Sequence, residues 1–228
     1  MIRTVFRALA RVRRAPAFHP RGVLLGGELL VDDGGSAVAQ ALGPGPHRVL
    51  VRLSKGAGTP RDLPDLLGVA VRVEPDGSRE ALDLLFTTSA AGGTLLAPAR
   101  GWRTATYSTL LPYDTAAGRM RLLVEPEPRE PDPPADPRLV PDAVRARPLR
   151  YRLVEAPVGA AGIGTADRRA VATLVLGEER TGPVAFDPVL HQLPGLHPVP
   201  LLADLRARAY RGSRSGRHAA AADLVRAP

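Results

Sequence analysis

The sequence predicts a mainly β protein with helical additions, folded as an antiparallel barrel or sandwich, and three observations carry that expectation. Short apolar segments recur along the chain, among them "GVLLGGELLV" (22–31), "HRVLVRLS" (47–54) and "LLGVAVRVE" (66–74). Several alternate with period two: in "RVLVRLS", Val49, Val51 and Leu53 face one way, while Arg48, Leu50, Arg52 and Ser54 face the other. Turn residues such as "GPGP" (43–46) and "PDG" (75–77) separate the segments, with no regular helices between them.

The chain opens on "MIRTVFRALARVRRAP" (1–16), a basic amphipathic helix with Val5, Leu9 and Val12 on one face and Arg3, Arg7, Arg11 and Arg14 on another. It lacks the small-residue cleavage site of a secretory signal. It reads as a docking helix, with peripheral membrane contact or targeting as the alternatives. Pro16 and Pro20 break the pattern, and residues 17–199 form the β domain. Its later strands are "ALDLLFT" (81–87), "RMRLLVE" (119–125), "LRYRLVEA" (149–156) and "AVATLVLG" (170–177). A helix is expected in part of Thr94–Thr109 and another at Pro200–Ala209, the latter opening a C-terminal region, 200–228, that ends in a basic tail. The proline- and acid-rich "EPEPREPDPPADPR" (125–138) reads as an exposed loop within the sheet.

With 228 residues and 44% hydrophobic composition the chain can bury a core, and with only 4% aromatics that core must be mostly Val, Leu and Ala. The net charge of +8 suits a polyanion, an acidic membrane surface or an anionic ligand. The absence of cysteine excludes disulfides, iron–sulfur clusters, thiolate-ligated haem and cysteine nucleophiles, and is compatible with the cytoplasm. No apolar run approaches the length of a membrane span. The arginine-rich termini would give salt-sensitive affinity for nucleic acid. Few aromatics are present for base stacking and no reading motif is recognisable, so a nucleic-acid partner is not expected.

In "LRARAY", Arg206 lies four residues before Tyr210, so on a helix the guanidinium stands beside the phenol on one face. A fixed cation there favours the ionised phenol, a strong ligand for ferric iron. The segment "VAFDPVLHQLPGLHP" (184–198) leads into this stretch. In that order, after the strand "VATLVLG", the two resemble the haem-binding C-terminal part of the catalase barrel.

That resemblance to the catalase superfamily extends to the front half. "FHPRGVLLGGELLV" is similar to the family's distal-histidine segment, "VRLSKGAGTPRDLPDLLGVAVRV" to the segment after it, and "LDLLFTT" to the strand carrying the distal asparagine. The resemblance implies a catalase-like antiparallel β-barrel with a C-terminal haem-ligand helix and haem b as cofactor. It makes Tyr210 the iron ligand, kept ionised by Arg206, and gives Arg52 and Arg217 the haem carboxylates. It makes His19 the distal histidine, bonded by Ser54, and places Thr88 where catalases have the distal asparagine.

The chemistry of those residue types agrees. A neutral imidazole can take a proton from one peroxide oxygen and return it to the other. A hydroxyl on its second nitrogen fixes the tautomer. Arg52 shares a face with Ser54 and can hold a carboxylate. Two departures stand out: Thr88 is a shorter donor than an amide, and Pro16 occupies the position of one propionate arginine.

The chain then reads as a minimal, barrel-only member. The implied activity is that of a haem-dependent peroxidase or weak catalase acting on hydrogen peroxide or on organic or fatty-acid hydroperoxides, with an unidentified reductant. The alternative is a non-catalytic haem store, carrier or sensor. A monomer or small homo-oligomer in the cytoplasm, with a membrane surface as the alternative location, completes the expectation. Trp102 and Tyr107, in "GWRTATYS", are read as packing residues.

Overall fold

The computed structural model describes residues 22–61, 63–74, 80–127, 132–158 and 168–199. Eight antiparallel strands close into a barrel in the order β1–β2–β3–β4–β6–β8–β9–β10, the last pairing back on the first. They are β1 (Gly22–Val31), β2 (Gly45–Lys55), β3 (Leu67–Glu74), β4 (Leu82–Ala90), β6 (Thr106–Ser108), β8 (Gly118–Pro126), β9 (Leu149–Pro157) and β10 (Arg169–Arg180). Three short strands lie off the ring: β5 (Leu95–Leu96) pairs with β4, β7 (Tyr113–Thr115) with β8, and β11 (His197–Pro198) with β7.

The long strands fall where period-two alternation placed them. Inward residues meet in rows across the barrel, for example Leu25, Val51, Val71 and Leu84. All four are 3% exposed or less, and each contributes about 1.5–3 kcal/mol by leaving water. As expected from 4% aromatics, this interior is mainly Val and Leu.

Each end of the barrel is stoppered. Between β1 and β2, helix α1 (Ala37–Leu42) is capped by Ser36 Oγ, which accepts from the Ala39 amide at 2.9 Å. Val38 of this helix is fully buried, and its amide donates to Glu155 Oε1 near the end of β9 at 2.9 Å. At the other end, by the start of β9, the buried Trp102 carbonyl accepts from both Tyr107 Oη (2.7 Å) and Tyr151 Oη (3.2 Å). The two tyrosine rings meet edge to face. Trp102 and Tyr107 are packing residues here, as read from the sequence.

Two expectations are overturned. Thr94–Thr109 holds no α-helix: after a 3₁₀ turn at Ala91–Gly93, where Gly92 and Gly93 take positive φ, it forms β5 and β6, with Leu95, Leu96 and Thr106–Ser108 pairing with β4. Nor is 125–138 simply an exposed loop. Ala135 is fully buried, its amide donates to the Arg100 carbonyl at 3.0 Å, and Asp132 Oδ1 accepts from the Arg103 amide at 2.8 Å. Only glycine fits at 101, since a Cβ there would sit 2.0 Å from Asp132 Oδ2. A 3₁₀ turn (Pro137–Leu139) and helix α2 (Val140–Ala146) then lead into β9. The expected helices at 1–16 and Pro200–Ala209 lie outside the described residues.

Candidate functional site

The site begins with a row of paired residues on the outer face of the barrel. Ser54 of β2 pairs with Gly22 on one side and Gly68 on the other, and Gly68 pairs with Thr87 of β4. Paired residues share a face, so Gly22, Ser54, Gly68 and Thr87 form one row opposite the core. Ser54 is only 5% exposed and its hydroxyl has no hydrogen-bond partner among the described residues. The Thr87 hydroxyl, half-buried, likewise has none among them. About 10 Å of backbone, two strand spacings, separates the two residues, with a glycine floor between.

The floor is kept clear by the missing side chains. A Cβ on Gly68 would stand 3.0 Å from Ser54 Oγ, and one on Gly22 would stand 2.8 Å from Arg52 Nε and 3.3 Å from Ser54 Cβ. The next row, Leu24, Arg52, Ala70 and Leu85, is aliphatic except for Arg52 and partly exposed throughout. The result is a flat, small-residue platform with two hydroxyls at one edge and a guanidinium at another. Such a face suits a planar apolar group that carries an anion.

Arg52 and Ser54 are therefore brought together as expected. Thr88 is not. It stands with Leu82, Leu84 and Phe86 on the inward side of β4, fully buried, where its Oγ1 accepts from the Leu67 amide at 3.1 Å. One residue along a strand reverses the face, so Thr87, not Thr88, shares the outer row with Ser54. The alternation of Leu82, Leu84 and Phe86 held that signal. His19, Arg206, Tyr210 and Arg217 lie outside the described residues.

Below the platform, Asp83 anchors the chain that leaves the barrel. Fully buried, it receives Arg72 Nε (2.8 Å), Arg72 Nη2 (2.7 Å), the Asp187 amide (2.6 Å) and His191 Nδ1 (2.8 Å). Arg72 also donates to the Ala185 carbonyl at 2.7 Å and stacks over Phe186. Burial pushes the Asp83 carboxyl upward, but the bonds from Arg72, the Asp187 amide and His191 outweigh it and hold it below the usual carboxylate range. The "FDPVLH" part of the C-terminal motif is thus pinned to β3 and β4.

An antiparallel eight-stranded barrel of this order defines a β-barrel of catalase-like fold. Catalase A from Saccharomyces cerevisiae has TM-score 0.64 to this chain at 12% identity, over 92% of this chain and 63% of that one. A fungal catalase matches with the same TM-score and identity, over 92% of this chain and 62% of its own. The chain thus spans less than two thirds of the length of either. No protein-family model and no curated protein matches it. At this identity the likeness is one of fold.

Proposed function

We propose that the chain is a haem-dependent peroxidase or weak catalase, with the platform of Gly22, Ser54, Gly68 and Thr87 as its distal face. The observation that carries the reading is the pair of hydroxyls, neither with a hydrogen-bond partner among the described residues, across a glycine floor and flanked by Arg52, in a catalase-like barrel. The described residues fit haem on the side they supply: a flat surface for the macrocycle and a guanidinium for a carboxylate. Bound haem would supply the iron at which the O–O bond of a hydroperoxide is cleaved.

The chain's own residues divide the remaining work. Ser54 Oγ bonds one nitrogen of the His19 imidazole and fixes its tautomer, leaving the other to take a proton from the peroxide and return it to the departing oxygen. Thr87 Oγ1 donates a hydrogen bond to the bound peroxide, with shorter reach than an amide, which favours peroxidase-type turnover over two-peroxide dismutation. If haem is bound, Tyr210 would hold its iron as a phenolate that Arg206 would keep ionised, and Arg217 would meet a carboxylate. The substrate is hydrogen peroxide or an organic or fatty-acid hydroperoxide.

Titration of the full-length protein with hemin, beside Tyr210→Phe, tests this. The expected result is one-to-one binding with a high-spin ferric spectrum that the variant loses, and peroxide turnover above that of free hemin. Binding without turnover would leave a haem store, carrier or sensor. No binding above non-specific levels would sink the haem reading.

A further inference from the structure

On the outer face of β1, adjoining the platform, lies a cavity of about 600 Å³ whose charged lining is three arginines, Arg52, Arg138 and Arg180, against two acids, Asp136 and Glu179, with Leu24, Pro141 and Val184 as its apolar wall. That volume is ordinary for a small-molecule site. Arg52 of β2 and Arg180 of β10 are the two cross-strand partners of Leu24, one on either side of it. Each guanidinium lies across β1 over a glycine: a Cβ on Gly22 would meet Arg52 Nε at 2.8 Å, and one on Gly26 would meet Arg180 Nε at 2.7 Å.

Arg180 has no right to that place by strand periodicity. Ala172, Leu174 and Leu176 of β10 face the core, so a regular strand would send Arg180 inward too. The register slips between Gly26 and Gly27, where Gly177 is the unpaired extra residue of β10. This bulge reverses the last residues of β10 and aims Arg180 at the outer face beside Arg52. Glu178, the acid paired with Arg180, is weakly held, since both side chains are more than half exposed, whereas Asp136 is taken up by Arg138 through its amide, Nε and Nη2.

We propose that this cavity is a carboxylate site in which Arg180, re-aimed by the Gly177 bulge, acts with Arg52, and the apolar wall of Leu24, Pro141 and Val184 takes the body of the ligand. The carboxylate belongs either to haem on the adjoining platform or to a free aliphatic acid. In the first case Arg180 supplies a cation that the sequence lacks at Pro16, and that arm alone rests on the haem reading.

The test measures the affinity of the full-length protein and of Arg180→Ala for three probes: hemin, its dimethyl ester and decanoate. Absorbance titration reads the first two and calorimetry the third. A roughly tenfold loss for hemin with no loss for the ester assigns the site to haem carboxylates. An unchanged hemin affinity with a roughly tenfold loss for decanoate assigns it to a free acid. In either case Glu178→Gln, which removes the competing carboxylate, tightens the same probe and Arg180→Lys restores part of the loss. Equal losses for hemin and its ester, or no dependence of any probe on Arg180, would overturn the proposal. If hemin fails to bind at all, the haem reading falls and decanoate alone decides the cavity.

Discussion

Asp83→Ala tests whether the clamp between β4 and the segment 185–191 stabilises the barrel. The substitution removes four hydrogen bonds to one fully buried carboxylate and leaves the Arg72 guanidinium, 16% exposed, without its acid. Breaking a buried ion pair from one side costs about 3–5 kcal/mol. Arg72 keeps the Ala185 carbonyl and some access to water, so the lower end, about 3 kcal/mol, is expected. For a chain of this size that is a fall in Tm of about 6–12 °C. Urea denaturation at neutral pH, with Asp83→Asn expected near 2 kcal/mol, is the assay. The depressed carboxyl sets the sign with pH: its contribution is present above the unfolded value near 4 and is lost as pH falls through the lower folded value. The gap between wild type and Asp83→Asn should therefore close in acid. A loss under about 1 kcal/mol, the size of an exposed pair, or a gap that persists in acid, would refute the reasoning.

Further expectations concern the platform and the barrel end. Gly68→Val places a branched side chain against Ser54 Oγ on the flat face and should weaken hemin at least tenfold in an absorbance titration. Thr87→Asn should raise hydrogen peroxide turnover of the hemin-loaded protein with Tm nearly unchanged. Thr88→Asn should instead cost about 1–3 kcal/mol in denaturant melts, because its hydroxyl serves the buried Leu67 amide. Burial raises the Tyr107 and Tyr151 phenols well above their ordinary value. Their contribution to stability is therefore full below about pH 10 and falls as pH rises beyond it, and alkaline spectrophotometric titration should find these two phenols silent until the barrel unfolds.

The long strands were legible because one face of each is buried, which writes the period-two pattern into residues such as Val49, Val51 and Leu53. The short strands β6, β7 and β11 carry too few residues for any period, and Thr106–Ser108 was mistaken for helix on that account. Ser54 and Arg52 were legible from their shared face. That Thr87 rather than Thr88 shares their face was not, because similarity along the chain does not say which face a residue occupies, whereas the alternation of Leu82, Leu84 and Phe86 does. Arg180 was out of reach: the Gly177 bulge appears only in the register of β10 against β1. The Asp83 clamp was equally hidden, since nothing local to "LDLLFTT" signals that Asp187 and His191 return to it.

The closed ring also imposes an order on biosynthesis. The platform is built from β1 to β4, consecutive neighbours joined by local connections, so all its backbone partners have been made once Thr87 has left the ribosome. The seam between β1 and β10 must wait for nearly the whole barrel to be translated. Until then the outer edge of β1 is an open template for wrong pairing, and contacts so distant in sequence form slowly. Glu28, whose partner on the β10 side is Val175, puts a charge on the strand left waiting. A nascent chain would thus present its ligand-facing surface well before the strand that brings Arg180 has arrived to complete the cavity.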